Sequence, residues 1–282
     1  MRSNAIVRIV IYSLVILLLL GILGAGLGIG MFSFHFSRND GDLVTGEASI
    51  PVRDVQELEI DWASGSIQIR SADVDAVHFT ETGAASEEEQ MVYELKDGTL
   101  TIQFSKPSFH FGYVSLPNKD LTITIPRDWQ CQELNIDAAA ASVEATELSA
   151  KTVDLDCASG VCRFENCDVT ELDIDTASGD VSFTGHLRSL DCSAASADIT
   201  AVLFSAPDRV DMESLSGTLE LTLPADCGFS AELETVSGSF HSDFPATYTD
   251  GRYVYQGSGT ASPARIDLSG VSGDVYIRKA GQ

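Results

Sequence analysis

The stretch LDIDTASGDVSF at residues 172–183 decides the fold of this chain. Apolar and acidic side chains alternate in it, and a Ser-Gly pair at residues 178–179 interrupts the alternation. A period of two is typical of a β-strand, because successive side chains point to opposite faces. Glycine suits a corner, where it permits positive φ or close backbone approach. The stretch therefore predicts two strand segments joined by a tight corner.

The same pattern recurs seven more times. In chain order, the corner position is held by Gly65, Ala141, Gly160, Gly179, Ala197, Gly217, Gly238 and Gly273. A spacing close to 19 residues is too short for a strand–helix–strand unit of about 30 residues. We therefore predict an all-β, short-coiled parallel β-solenoid, right-handed by the usual crossover rule. An antiparallel β-sandwich with turns every 8–12 residues or so is the alternative.

Two positions of the repeat are rich in acids. Column A, six residues before the corner, holds Glu59, Asn135, Asp154, Asp173, Asp191, Asp211, Glu232 and Asp267. Column B, four residues before the corner, holds Asp61, Asp137, Asp156, Asp175, Ser193, Glu213, Glu234 and Ser269. Stacking in register would place neighbouring carboxylates about 4.8 Å apart, where they repel by about 0.9 kcal/mol even in water.

Hard divalent cations prefer oxygen ligands and could bridge such carboxylates. We therefore predict weak calcium or magnesium binding along Asp137, Asp154, Asp156, Asp173 and Asp175. The alternative is a solvated face that keeps the protein soluble. No other cofactor is predicted.

The charge balance excludes one class of partner. The chain has 17 Lys and Arg against 42 Asp and Glu, a net charge of -25. Nucleic-acid binding depends on basic side chains that neutralise phosphates, so we expect no nucleic-acid partner.

The N-terminal segment predicts a membrane anchor. Residues 9–34 contain no formally charged side chain, and Arg2 and Arg8 precede them. The run is long enough to cross a bilayer core of about 30 Å. By the positive-inside rule, residues 1–8 are cytoplasmic, 9–36 span the cell membrane, 37–49 form a linker and 50–282 are extracellular. A cleaved signal peptide is the alternative, although its apolar run is ordinarily shorter.

Two segments interrupt the repeat. Residues 71–130 are interpreted as a capping insertion, because a solenoid needs an atypical end to cover its exposed core. Within it, Phe109, Phe111 and Tyr113 form an aromatic cluster that could instead contact the membrane or a partner. Residues 243–264 are predicted to be an excursion before the last coil.

Four segments resemble a known bacterial family: LTITIP followed by LNID (121–137), ELDIDTASGDVSF (171–183), LELTLPADCGFSAELETVSGSF (219–240) and ARIDLSGVSGDVYI (264–277). They are similar to adhesin-like β-strand-repeat proteins, a domain-of-unknown-function family related to the toastrack domains of envelope-stress proteins. The resemblance spans about 50–280, and the leading helix resembles that of membrane-anchored Gram-positive members. It implies a β-solenoid at the cell envelope and supplies no catalytic residues.

The chemistry-bearing residues form no recognisable catalytic motif. The five histidines lack metal-ligand spacing, and no phosphate-binding or nucleophile motif is present. A repeated acid column gives every carboxyl nearly the same environment, whereas acid–base catalysis needs distinct ones. We predict no enzymatic activity.

The six cysteines all lie after residue 130. Cys162 and Cys192 occupy positions that hold aliphatic or aromatic residues in the other repeats, so they can be small core residues. Cys157 and Cys162 flank one corner and could form a disulfide. Both interpretations stay open.

Two functions follow as hypotheses. The first is a non-enzymatic, membrane-anchored binding or scaffold module that contacts cell-wall polymer. The second is an envelope-stress sensor that acts through a membrane regulatory protein. Its separate partner would have to supply the effector, because about eight residues precede the helix.

Overall fold

The computed structural model describes residues 43–105, 117–259 and 262–281. Their regular structure is β-strand apart from two 3-10 turns, Val52–Asp54 and Glu87–Glu89. None of the helices in these ranges is long and apolar enough to cross a membrane. The predicted transmembrane segment 9–36 and the cytoplasmic residues 1–8 lie outside the described residues.

The strands are, in chain order, β1 Val44–Thr45, β2 Ala48–Pro51, β3 Glu57–Ala72, β4 Ala76–Thr82, β5 Val92–Lys96, β6 Thr99–Gln103, β7 Lys119–Pro126, β8 Cys131–Thr146, β9 Ser149–Ser159, β10 Cys162–Ser178, β11 Val181–Ser196, β12 Ile199–Leu203, β13 Arg209–Ser216, β14 Leu219–Leu223, β15 Phe229–Ser237, β16 Phe240–Ser242, β17 Thr247–Thr249, β18 Arg252–Tyr255, β19 Ala264–Ser272 and β20 Val275–Lys279.

Successive repeats stack as parallel coils in the register that the sequence alignment predicts. The serines before the corners pair with one another from coil to coil, as in the series Ser159, Ser178, Ser196 and Ser216. This parallel pairing confirms the solenoid and excludes the antiparallel sandwich for the body of the domain. The right-handed coil stays a prediction.

The strand alternation determines which side chains enter the core. Leu172, Ile174, Val181 and Phe183 point inward and are at most 3% exposed. Their counterparts in the other coils form one continuous apolar core. Burial of each such side chain stabilises the fold by about 1.5–3 kcal/mol.

Adjacent corners touch through their backbones. Gly179 has a φ of +119°, and a Cβ built on it would overlap the carbonyl oxygen of Gly160. The same overlap would arise at Gly217 with Ala197 and at Gly273 with Gly217. Both reasons for glycine that the sequence suggested, positive φ and close backbone approach, therefore hold at the corner.

A side chain three residues before the corner, here called the corner-bond position, secures this contact in several coils. It donates a hydrogen bond to the corner carbonyl of the neighbouring coil, in the pairs Trp62 to Lys119 (3.0 Å), Cys157 to Ala141 (3.7 Å), Ser214 to Ala197 (3.1 Å) and Thr235 to Gly273 (3.3 Å). These bonds satisfy backbone oxygens that would otherwise be buried without a partner.

The N-terminal end is closed by β4–β7, which lie on the outer side of β3. β6 and β7 pair with β3 in parallel, while β4 and β5 pair with them in antiparallel fashion. β1 and β2 pair with β5 and β4. The C-terminal end of the predicted linker 37–49 thus contains β1 and part of β2, which cover strand edges whose backbone groups would otherwise lack partners.

A buried lysine forms hydrogen bonds with several segments at this end of the domain. Lys119 occupies the corner register of the outer layer, opposite Gly65, and is fully buried. Its Nζ donates to Glu81 Oε2 (2.7 Å), to the carbonyl oxygen of Glu89 (2.6 Å) and to that of Phe104. The ammonium also lies 4.1 Å from the Phe104 ring centroid and 5.0 Å from that of Trp62. These contacts offset part of the cost of burying the charge, and the burial still lowers the pKa of Lys119.

The C-terminal end does not follow sequence order. β19 and β20, the last coil in sequence, lie between the coil of β13–β14 and the coil of β15–β16. The excursion 243–264 contains the β17–β18 hairpin, and β18 pairs with β15 at the outer edge. Rings of Phe229, Phe244 and Tyr255 pack together there, with centroids 5.1–5.9 Å apart.

We predict that Gly179→Ala destabilises the protein by about 3 kcal/mol, because the new methyl group forces two corners apart at an unfavourable φ. Gly251→Ala is the matched control, since Gly251 has a φ of +84° but a Cβ added there would meet no atom within 4 Å. It should cost about 1 kcal/mol. Urea unfolding of the purified protein measures both, and equal losses would show that corner contact is unimportant.

Candidate functional site

The register brings the acids of each column onto neighbouring strands. In column B, Asp61 pairs with Asp137, Asp137 with Asp156 and Asp156 with Asp175. In column A, Asp154 pairs with Asp173, and Asp173 pairs with Asp191. Because these residues share the outward face of parallel strands, the two columns run side by side along the solenoid.

Arginines neutralise the C-terminal part of column A. Arg209 lies 2.8 Å from Asp211 and 3.6 Å from Asp191. Arg252 contacts Glu232 at 2.7 Å and Asp267 at 2.9 Å. Arg252 lies on β18, outside the repeat, so the terminal hairpin supplies a cation to the acid column.

The middle part of the columns has no such ion pairs among the described residues, although the more distant charge of Arg209 acts to lower the pKa of Asp173. Asp154, Asp156, Asp173 and Asp175 form no ion pair with any residue in the described ranges. Partial burial, followed by repulsion between neighbouring aspartates, raises the pKa of Asp154, Asp156 and Asp173 above its ordinary value. The same causes raise the pKa of Asp175 to about 6. This group and Asp137 are here called the acid patch.

Asp61 begins column B but differs from the acid patch because it is 5% exposed. Its Oδ2 accepts a hydrogen bond from Gln103 Nε2 at 3.0 Å, and no described donor reaches its buried Oδ1. Burial raises the pKa of Asp61 to about 7, and the neighbouring Asp137 adds to the rise. A protonated Asp61 can donate a hydrogen bond to the Asp137 carboxylate, so one proton serves two adjacent carboxyl groups.

The structure brings together all five residues predicted to bind cations, Asp137, Asp154, Asp156, Asp173 and Asp175, on three adjacent coils. In the described ranges, no group of three or more His, Cys, Asp or Glu side chains has a ready-made metal-binding arrangement. Cation binding by the acid patch stays a prediction. Phe109, Phe111 and Tyr113, the predicted partner-contact residues, lie outside the described residues.

Sequence reasoning missed three features of this surface: the burial of Asp61, the ion pairs of Arg209 and the ion pairs of Arg252. Arg209 could have been found from the repeat, because it stands two residues before Asp211 on the same outward face. Arg252 lies in the excursion, so no repeat position marks it. All six cysteines are free and buried, and the burial of Cys162 and Cys192 agrees with their interpretation as small core residues.

The raised pKa of Asp61 predicts how stability depends on pH. The folded protein holds the Asp61 proton up to about pH 7, whereas the unfolded chain releases it near pH 3.8. Stability is therefore highest below the unfolded pKa and decreases by at most about 1.4 kcal/mol per pH unit as the pH rises to the folded value.

We expect Asp61→Asn to reduce this pH dependence, because the amide is permanently neutral and can donate to Asp137. The variant should be more stable than the wild-type protein at pH 7.5. Its melting temperature should also change less between pH 5 and pH 7.5. The control is Asp168→Asn, an exposed aspartate outside both columns. If Asp61→Asn and Asp168→Asn show the same pH profile, Asp61 is not the buried proton carrier.

A second prediction concerns divalent cations. Millimolar calcium should raise the melting temperature more than sodium chloride of equal ionic strength, because bridging adds to the screening that both salts provide. The double variant Asp156→Asn and Asp175→Asn should lose the excess. Equal shifts in the two salts for the wild-type protein would mean that screening alone acts.

A protein-family model described as Toastrack DUF4097 matches residues 55–278. This match confirms the resemblance inferred from the repeated segments. The matched residues begin just before β3 and end within β20. No curated protein matches the chain.

Three solved structures are similar to the chain over 84% of its length. A candidate cell adhesion protein from Clostridium sporogenes is 14% identical and 99% covered, with a TM-score of 0.41. A candidate adhesin from Bacteroides fragilis is 17% identical and 98% covered, with a TM-score of 0.44. A candidate lipid binding protein from Parabacteroides distasonis is 15% identical and 97% covered, with a TM-score of 0.47.

Proposed function

Because the chain belongs to the Toastrack DUF4097 family, we propose that it is a non-enzymatic, adhesin-like β-solenoid anchored in the cell membrane, which presents its acid patch to cell-wall polymer. The anchor is the segment 9–36, which would contact the lipid bilayer, and residues 50–282 would face the outside of the cell.

The observation that carries this proposal is the repetition of one chemistry at the spacing of parallel strands. Asp154 and Asp173 in column A, and Asp137, Asp156 and Asp175 in column B, repeat along the solenoid. A repeating surface suits a repeating ligand, because many weak contacts combine into useful avidity. Divalent cations shared between the patch and an anionic polymer would supply the attraction.

The same repetition supports a non-enzymatic role. Asp154, Asp156 and Asp173 stand on the same outward face of neighbouring strands, and desolvation followed by repulsion from neighbouring carboxylates raises the pKa of all three. General acid–base catalysis needs two groups whose environments separate their pKa values. The pKa values of Asp61 and Asp175 rise most, to about 7 and about 6. The carboxyl of Asp61 is buried beneath the surface rather than open to a substrate, and the pKa of Asp175 rises through the same causes as those of its neighbours.

The anchor rests on the sequence of the N-terminal segment. Residues 9–34 are uncharged and apolar, Arg2 and Arg8 lie on the side predicted to be cytoplasmic, and the acidic domain follows. Protease added to intact cells should remove the domain if this topology is correct. A domain protected from protease would contradict it.

Sedimentation of the purified protein with isolated cell walls, in the presence of calcium or of a chelator, tests the binding function. The test variant replaces Asp154, Asp156, Asp173 and Asp175 by Asn. A matched variant changes the net charge equally through Glu87→Gln, Glu88→Gln, Asp168→Asn and Glu171→Gln, all exposed and outside the acid patch.

We expect calcium-dependent binding by the wild-type protein and the matched variant, and at least a tenfold loss in the test variant. Equal binding by both variants would contradict a role for the acid patch. If the wild-type protein leaves the walls unbound but co-purifies with a membrane protein, the envelope-stress hypothesis is favoured instead.

A further inference from the structure

One corner of the solenoid is lined by two thiols. Cys157 stands three residues before Gly160, at the corner-bond position, and Cys162 stands two residues after it. Both side chains point into the core and are at most 1% exposed. They lie in hydrogen-bonding contact with each other, and Cys157 Sγ is also 3.7 Å from the carbonyl oxygen of Ala141.

The other coils show that these two positions on either side of the corner belong to the core. They are held by Ala138 and Val143 in the preceding coil and by Thr176 and Val181 in the following coil. All four of these residues are buried. Burial of both positions is therefore a property of the fold, while the pair of sulfur atoms is specific to this one coil.

We propose that Cys157 and Cys162 form an intrachain disulfide that closes the corner at Gly160, which makes this corner a thiol-oxidation site. The inference stands on the contact of the two side chains and does not depend on the proposed binding function. The S–S bond of about 2.05 Å is shorter than the present contact, so the two side chains move together when it forms.

The oxidant belongs to the class of disulfides, either a small molecule such as oxidised glutathione or a protein disulfide. One cysteine thiolate attacks the oxidant disulfide, forms a mixed disulfide and expels one thiolate. The second cysteine thiolate then attacks the sulfur of the first cysteine in this mixed disulfide, and the other thiolate of the oxidant leaves. The protein loses two protons and two electrons, and the oxidant is reduced to two thiols.

Cys157 is the better first nucleophile. The hydrogen bond from the Cys162 thiol lowers the pKa of Cys157, and the same bond together with burial raises the pKa of Cys162. In contrast, burial raises the pKa of Cys131 to about 12 and that of both Cys167 and Cys227 to about 11. The thiolate is the reactive species, so the remaining thiols react more slowly.

Both thiols are shielded from solvent, so the exchange takes place as the chain folds or when the corner opens, and Cys157 is favoured as the nucleophile only in states that keep the two thiols in contact. The direct test refolds the full-length protein from urea in a glutathione redox buffer, blocks the remaining thiols with an alkylating reagent and digests the protein with trypsin. Residues 152–163 form a tryptic peptide that contains Cys157 and Cys162 and no other cysteine.

We expect this peptide to carry no alkyl label and to be lighter by two hydrogen atoms, about 2 Da, until a phosphine reduces it. The oxidised protein should melt about 5 °C above the reduced protein, because the closed loop limits the unfolded chain. Two alkyl labels on the peptide after refolding, or a link from Cys157 to another peptide, would overturn the proposal.

Two variants make the result specific. Cys162→Val introduces the residue that Val143 and Val181 provide in the adjacent coils, so it should fold and lose the redox-dependent change in melting temperature. Cys192→Ala removes a buried cysteine of a more distant coil and should keep that change. A change that persists in Cys162→Val, or disappears in Cys192→Ala, would assign the oxidation to a different pair.

Discussion

The stacking of the coils relies first on the close contact between each corner glycine and the carbonyl oxygen of a neighbouring corner. Glycines such as Gly179 and Gly217 lack the Cβ that would keep the two backbones apart. The contact determines how two coils align at one point. The alternation along the strands then determines which residues of the two coils pair on either side of it. A shift by one residue would turn the apolar side chains outward and the aspartates inward. The hydrogen bonds from Ser214 and Thr235 strengthen the same contact.

This alignment has an electrostatic cost. Identical positions stack, so a residue type that recurs in the repeat meets copies of itself on both sides. Repeated apolar residues gain from the arrangement because they form a continuous core, whereas repeated aspartates repel one another. Arginines relieve the repulsion in the C-terminal part of the columns, and a buried protonated carboxyl relieves it at Asp61. Within the described ranges, the column aspartates of β9 and β10 form no ion pair with an arginine, and Arg209 acts on Asp173 only from a distance. These aspartates therefore repel one another without a direct ion pair to a described residue, and this repulsion is the reason for proposing a ligand there.

Both ends use strands that are remote in sequence to cover the open edges. At the N-terminal end, β6 and β7 extend the stack beyond β3, and β1, β2, β4 and β5 pair in antiparallel fashion around them. At the C-terminal end, β18 covers β15. Antiparallel strands suit this role because they break the parallel register and so interrupt further stacking. Buried Lys119 lies at the first of these ends, and the ring cluster of Phe229, Phe244 and Tyr255 lies at the second.

The features of the fold that depend on local periodicity could be predicted from the amino-acid sequence. The positions of the corners, the inward and outward faces, the parallel register and the membership of both acid columns follow from a period of two and a repeat near 19 residues. Three other features become visible only in the tertiary structure. They are the placement of β19 and β20 between two earlier coils, the pairing of residues 44–51 and the burial of Asp61. The tertiary structure also decided that Arg252 neutralises Asp267 and that Cys157 meets Cys162. These features arise from contacts between segments that are far apart in sequence or from how closely a corner packs, and neither leaves a periodic signal in the chain.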